Sequence, residues 1–286
     1  MAGESGLPVS ADIFAGQGAD PDLLAELYDL EHDPVTADLV FYREMASRLD
    51  GVVLDLGCGS GRLFRAFLEG GADRIVAVDG SAALLRRAES RVAADPELAA
   101  AASSGALSLH LADVRSLPRL LIKERIGLAV AAGVLPHLDG PDEALRVLAA
   151  VRRLMAFDGR LVIDDIGPGM LPEGDLPLSV DWRRTLRGRE VVRRSSLIRR
   201  EAPEGLRIAY STITDTVRPD GTIARLPVSH RLWYPYPEAL GRLVAQADMR
   251  VEFSYGSHDL EALGPGSERR IMVVVRVDSA MDGPAR

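Results

Sequence analysis

The sequence predicts a doubly wound α/β protein, a seven-stranded and mostly parallel sheet carrying an inserted antiparallel β lobe. Three observations predict it. From residue 52 to residue 166 short apolar runs alternate with amphipathic stretches, the pattern of successive βαβ units. After Gly167-Pro168-Gly169 the rhythm changes to longer polar–apolar alternation broken by Pro203-Glu204-Gly205 and Pro219-Asp220-Gly221, which read as hairpin turns. A chain of 286 residues is long enough for one large domain with an insertion.

Residues 1–20 are rich in Gly, Ala, Pro and Asp without a period and read as a flexible arm. The expected organisation is therefore that arm, an α/β core over 21–169, an inserted lobe over 170–233, and a closing helix with the last strand pair over 234–286. After Pro21, apolar residues recur at helical spacing (Leu23, Leu24, Leu27, Tyr28, then Leu39, Val40, Met45), interrupted at Asp33-Pro34, so two helices precede the first strand. Strands are expected over Val52–Leu56, Arg74–Val78, Leu107–Leu111, Gly127–Ala132 and Arg160–Ile166. The helices between them bury Leu63, Phe64, Phe67 and Leu68, then Leu84, Leu85 and Ala88, then Leu145, Leu148 and Leu154 after a first-turn Pro141. The lobe is expected as three strands, Glu190–Arg200, Leu206–Val217 and Thr222–Trp233. A helix from Pro237 and strands Arg250–Tyr255 and Arg270–Val277 complete the chain.

Composition narrows the function. No apolar run approaches the roughly 18 to 20 residues of a bilayer span, and the N-terminus has no basic segment leading into an apolar one, so the expectation is a soluble cytoplasmic protein with no membrane partner. One cysteine, Cys58, leaves no internal disulfide and no cysteine zinc cluster. The formal charge of −8 argues against nucleic acid as a partner. The crowded arginines from Arg183 to Arg200 read as a charged strand face. A homodimer through the inserted sheet is compatible with the sequence, but no residue establishes it.

The chemistry concentrates at Val52-Val53-Leu54-Asp55-Leu56-Gly57-Cys58-Gly59-Ser60-Gly61. Here a buried strand runs into alternating glycines that let a ligand approach the backbone without meeting a Cβ. Asp79 closes the second strand 18 positions after Gly61, near the roughly 20-residue spacing at which a carboxylate meets a ribose; the competing reading is a strand-end cap beside Ser81. Asp113 closes the third strand at the same sheet edge and suits an adenine amino group, with an ordinary turn aspartate as its competitor.

Leu54 to Gly61, Val78-Asp79 and Ala112-Asp113-Val114 resemble the successive motifs of class I S-adenosylmethionine-dependent methyltransferases, which are Rossmann-like. The resemblance spans roughly residues 20 to 165, and the closing strand pair is similar too. It implies S-adenosylmethionine as cofactor, with Asp55 and the Gly57 to Gly61 loop, Cys58 and Gly59 included, at its methionine end and Asp79 at the ribose; Gly80 and Ser81 count among the cofactor-binding residues. Asp113 and Val114 fall to the adenine, and the backbone at Ala132 to the ammonium. Tyr28-Asp29-Leu30 resembles the segment that closes over the cofactor in small-molecule members. One departure is the fourth strand, which lacks the family's frequent opening aspartate and reads Ile126-Gly127-Leu128.

Methyl transfer from a sulfonium needs chiefly alignment and exclusion of water. His137, in the loop after the fourth strand, is the candidate base because its ordinary pKa near 6.5 suits proton transfer; a purely structural histidine is the alternative. His230, Arg231, Trp233, Tyr234 and Tyr236, where the lobe rejoins the core, are candidate contacts for a small-molecule acceptor. Asp164 and Asp165 have no nearby histidine in sequence, so no metal is expected. The sequence reading is methyl transfer to N or O of a small molecule. The competitors are an RNA or protein methyltransferase, a non-catalytic cofactor-binding protein and an NAD-dependent oxidoreductase. The last is disfavoured because Arg62 stands where its third glycine belongs.

Overall fold

The structure, a computed structural model, describes residues 12–117 and 125–277. The first part of the expected arm, residues 1–11, lies outside them. Asp20 caps α1 (Pro21–His32) by accepting from the Asp22 amide, and Pro21 occupies the first turn, where its missing N–H costs nothing. α2 (Leu39–Ser47) follows, then β1 (Val52–Leu56), α3 (Phe64–Glu69), β2 (Arg74–Asp79), α4 (Ala82–Ala94), α5 (Pro96–Ser104) and β3 (Leu107–Leu111). The core continues with β4 (Ile126–Ala132), α6 (Pro141–Leu154) and β5 (Met155–Ile166).

Four strands then form a separate antiparallel sheet: β6 (Leu176–Leu186), β7 (Arg189–Ala202), β8 (Gly205–Val217) and β9 (Ile223–Pro235). Finally α7 (Pro237–Gln246), β10 (Met249–Tyr255) and β11 (Arg269–Arg276) return to the main sheet, whose order is β10-β11-β5-β4-β1-β2-β3. β3, β2, β1, β4 and β5 pair in parallel, while β11 alone is reversed and pairs antiparallel with both β5 and β10. The strand order reverses between β1 and β4, and at such a point the carboxyl ends of parallel strands open a crevice.

The two-residue strand period sends Leu54, Leu56, Val76, Ala129 and Ile163 to the layer of α6 and α7, and Val53, Ile75, Val130 and Val162 to the layer of α2 to α5. All five residues of β1 are buried, as a central parallel strand requires. No helix among the described residues is long and apolar enough to cross a membrane.

Three expectations are corrected. The lobe has four strands, not three. β6 escaped notice because its side chains are mostly exposed on both faces and Pro177 interrupts its start, as edge strands tolerate. α5 follows the Asp95-Pro96 cap as an alanine-rich helix with little apolar periodicity. The arm is not loose from residue 12 on. Phe14 is buried with Leu24, Leu84 and Val228, and the Gln17 side-chain amide pairs with both backbone groups of Ser229 at 2.8 and 2.9 Å.

Candidate active site

The glycine loop leaves β1 with positive φ at Gly57 (64°) and Gly59 (57°), a conformation that suits glycine. A Cβ on Gly59 would stand 2.9 Å from the Tyr28 hydroxyl. The Cys58 amide donates to the Val78 carbonyl, which ties the loop to β2. Asp79 then fixes the loop from the side, accepting from the Gly59 amide at 2.8 Å and the Ser81 amide at 2.7 Å. Burial pushes its carboxyl above the usual range and these amides pull it back. Each oxygen still has a lone pair for a ligand hydroxyl. Ser81, wholly buried, caps α4 through Leu84, and half-buried Gly80 links the two.

Asp55 supplies the second carboxylate. It is fully buried, its Oδ2 has no hydrogen-bond partner, and burial next to Asp79 pushes its pKa up to about 8. A buried acid with an unmet acceptor beside a backbone cradle fits an arriving cation. Tyr28 roofs the same loop; burial and the Asp79 charge hold its phenol protonated far above the ordinary value. Arg62 lies close by, held by the Asp38 carboxylate (Nη1–Oδ1 2.7 Å, Nη2–Oδ2 2.5 Å). The Cys58 thiol is buried and pushed upward, which suits packing and not nucleophilic work.

Asp113 and Val114 stand at the edge of this crevice, where Asp113 caps a short 3-10 turn at Val114–Ser116 and accepts from the Arg115 side chain at 2.8 and 2.9 Å. A ligand amino group there would share that carboxylate with Arg115. Ala132, half-buried, ends β4 opposite Asp164.

The lobe covers the other side of the strand ends. Period-two geometry places Leu226, Val228, His230, Leu232 and Tyr234 of β9 on one face, with Tyr210 opposite His230. The His230 ring stands 5.9 Å from that of His137, edge to face, and His137 occupies a 3-10 turn directly after β4. Burial, then the neighbouring His230, lower the pKa of His137 to about 4. His230 is lowered by burial and by Arg193.

The same alternation divides the expected acceptor cluster between two faces. Arg231 and Trp233 point to the opposite face, Arg231 to solvent and Trp233 into the core with α6 and α7. Tyr234 shares the inner face but is buried against Leu206 and Ile208. Tyr236 donates its hydroxyl to Glu201. His230 alone of the five reaches His137.

A further cluster was not legible in the sequence. Asp164, 1% exposed, accepts from Tyr42 at 2.5 Å, from the His258 ring at 2.8 Å and from Arg269 Nε at 2.9 Å; its backbone carbonyl takes the Gly133 amide at 2.7 Å. These partners hold its carboxyl below the usual range against burial. Asp165 faces the other way and pairs with buried Arg270 at 3.0 Å. The partners lie about 100 residues away, and no local motif announces them. Tyr42→Phe, which removes one hydrogen bond to a buried charge, is expected to cost about 1.5–3 kcal/mol in denaturant unfolding; a change below about 0.5 kcal/mol would contradict this role.

Comparison with known proteins agrees with this geometry. A family model described as a methyltransferase domain matches residues 53–159. Residues 53–159 are a class I, S-adenosylmethionine-dependent methyltransferase domain. The match runs from β1 to the middle of β5 and contains the glycine loop, Asp55, Asp79, Asp113 and His137 of this domain. No curated protein matches the sequence significantly. Solved structures share the fold of the methyltransferase domain and its lobe. The CcbJ methyltransferase of Streptomyces caelestis is 20% identical with a TM-score of 0.72, over 91% of this chain and 100% of that one. The sugar N-methyltransferase KedS8 of a Streptoalloteichus species is 20% identical with a TM-score of 0.64, over 97% and 99%. The amino pentose methyltransferase CalS10 of Micromonospora echinaspora, solved with S-adenosylmethionine bound, is 18% identical with a TM-score of 0.61, over 92% and 94%.

Proposed function

We propose that this methyltransferase transfers the methyl group to the nitrogen of a small-molecule amine, of the amino-sugar kind. The observation that carries the reading is the placement of His137, half-buried directly after β4 with its ring 5.9 Å from that of His230 on the inner face of the lobe, where burial lowers its pKa. S-adenosylmethionine, when bound, supplies an electrophilic methyl group on a sulfonium. Gly57 and Gly59 would cradle it, Asp55 would meet its ammonium, and Asp79 would meet its ribose.

Burial beside His230 lowers the basicity of His137, which makes it a poor acceptor for a hydroxyl proton and favours an acceptor atom that needs no proton abstracted. A neutral amine already carries the attacking lone pair. For it, His137 needs only to accept a hydrogen bond from the N–H and aim that lone pair, which is orientation and not proton abstraction. The lobe excludes water, with Tyr210 and His230 as polar points on an apolar face. KedS8 and CalS10 are named for a sugar and an amino pentose, which is consistent with this reading.

The test is a panel of amino sugars, other primary amines and sugar alcohols, with methyl transfer read by mass spectrometry. Turnover of amines and not alcohols is expected, and the reverse preference would overturn the reading. With a working amine, His137→Ala is expected to lower kcat about 10- to 100-fold with little change in KM. The pH profile of kcat/KM should rise with the pKa of the acceptor amine; a limb near 6.5 that vanishes in His137→Ala would instead make His137 a general base.

A further inference from the structure

Six arginines grip α1, the helix that carries Tyr28 over the glycine loop. Three come from α4: Arg86 to Asp22, Arg87 to Asp29 and Arg91 to Asp33. These tie the helix to the core. The other three come from the lobe: Arg184 donates to the Leu30 carbonyl, Arg187 pairs with Glu26, and Arg193 pairs with Glu31 at 2.5 Å. The arginines that read in sequence as a plain charged face therefore divide, and some of them turn inward onto the helix.

We infer that the Arg193–Glu31 ion pair is a latch holding α1 down over the cofactor loop, so that the wall of the acceptor pocket sets how fast the spent cofactor leaves. The inference rests on the cofactor reading above. Arg193 is the one arginine of the six shown to touch both sides. Its Nη2 donates to the Tyr210 hydroxyl at 2.9 Å, and Tyr210 stands opposite His230, whose ring meets His137. Its Nη1 reaches Glu31 on α1, and one turn back on that helix Tyr28 lies over Gly59.

Contacts and register neighbours thus link the acceptor histidines to the helix over the cofactor cradle, and Arg193–Glu31 is one of two ion pairs that bridge lobe and helix. Burial decides which pair matters. The Arg193 side chain is 12% exposed, whereas Arg187 is 76% exposed and screened by water. A ligand seated on the loop beneath Tyr28 leaves only when α1 lifts, and lifting α1 breaks Arg193 from Glu31. Arg193 and Glu31 are positioning residues; neither touches the glycine loop.

The test is the dissociation rate of S-adenosylhomocysteine from the immobilised full chain, read by surface plasmon resonance. Arg193→Met and Glu31→Gln should each speed release about tenfold, as loss of a partly desolvated charge pair does. The double variant should be no faster than the single ones, because both remove the same contact. Arg187→Met should stay within about twofold. Melting temperatures are measured alongside, and Glu31→Gln, at a helix end, carries the test if Arg193→Met fails to fold. Unchanged release rates, effects that multiply in the double variant, or an equal effect of Arg187→Met would each overturn the latch. A wild-type chain that binds no S-adenosylhomocysteine would overturn the cofactor reading itself, so the two failures are distinct.

Discussion

Replacing Asp79 by alanine is expected to weaken binding of S-adenosylmethionine by about a hundredfold or more and to destabilise the chain at the same time. The carboxylate accepts from the buried amides of Gly59 and Ser81, so its removal leaves two donors without a partner, at ~1–3 kcal/mol each. It also removes the acceptor for the ribose hydroxyls, where charge-assisted hydrogen bonds contribute ~1.5–3 kcal/mol apiece. Calorimetric titration reads the first effect and denaturant unfolding the second. Asp79→Asn separates them, since the amide keeps one acceptor oxygen for the loop while losing the charge. A dissociation constant for Asp79→Ala within threefold of wild type would remove Asp79 from the cofactor site.

Asp55→Asn is expected to stabilise the ligand-free chain at pH 8 while impairing cofactor binding. The sign follows from the raised pKa. An unfolded Asp55 releases its proton near 3.8, but the folded group keeps it until about pH 8. Between those values the native state binds more protons than the unfolded one, so this group's contribution to stability is full below pH 4 and is lost as pH rises toward 8. Asparagine has no proton to lose and holds the same shape, so its melting temperature at pH 8 should exceed wild type by more than about 2 °C, with the gap closing near pH 4.

Binding works in the opposite direction. A cation beside Asp55 favours the carboxylate, so cofactor binding at pH 7 should expel close to one proton. The observed enthalpy would then differ between phosphate and Tris buffers in wild type and coincide in Asp55→Asn. Equal enthalpies in both buffers with the wild-type chain would show that Asp55 does not meet the positive charge.

The elements that were legible in the sequence share a physical trait: their signal is local. The β1 run and its glycines, Asp79 at 18 residues' distance, and the prolines at 141 and 237 each act within a few turns of chain, and each lies where it was expected. Elements shaped by distant partners were not legible. β6 shows no clean alternation because one edge and much of both faces meet water. Phe14 looked like part of a polar arm until Val228 and Leu84 closed over it. Asp164 looked like a strand-end acid because Tyr42, His258 and Arg269 approach it from three separate parts of the chain. The five candidates from His230 to Tyr236 are neighbours only along the chain: the pleat of β9 sends four of them to different faces, and Tyr236 lies beyond the strand.

The two adjacent acids at the end of β5 have a consequence for assembly. Asp164 and Asp165 face opposite layers, and β11 answers with two adjacent arginines, Arg269 for Asp164 and Arg270 for Asp165. A slip of one residue would turn each arginine toward the wrong layer and bury unmatched charge on both, so these four side chains act as a key for a single alignment. β11 is the last described strand in chain order, yet it sits inside the sheet between β5 and β10. During synthesis the nascent chain therefore cannot seal the sheet until Arg269 and Arg270 have left the ribosome, and β10 has no place to dock before then. Activity should accordingly emerge late and all at once as the polypeptide lengthens.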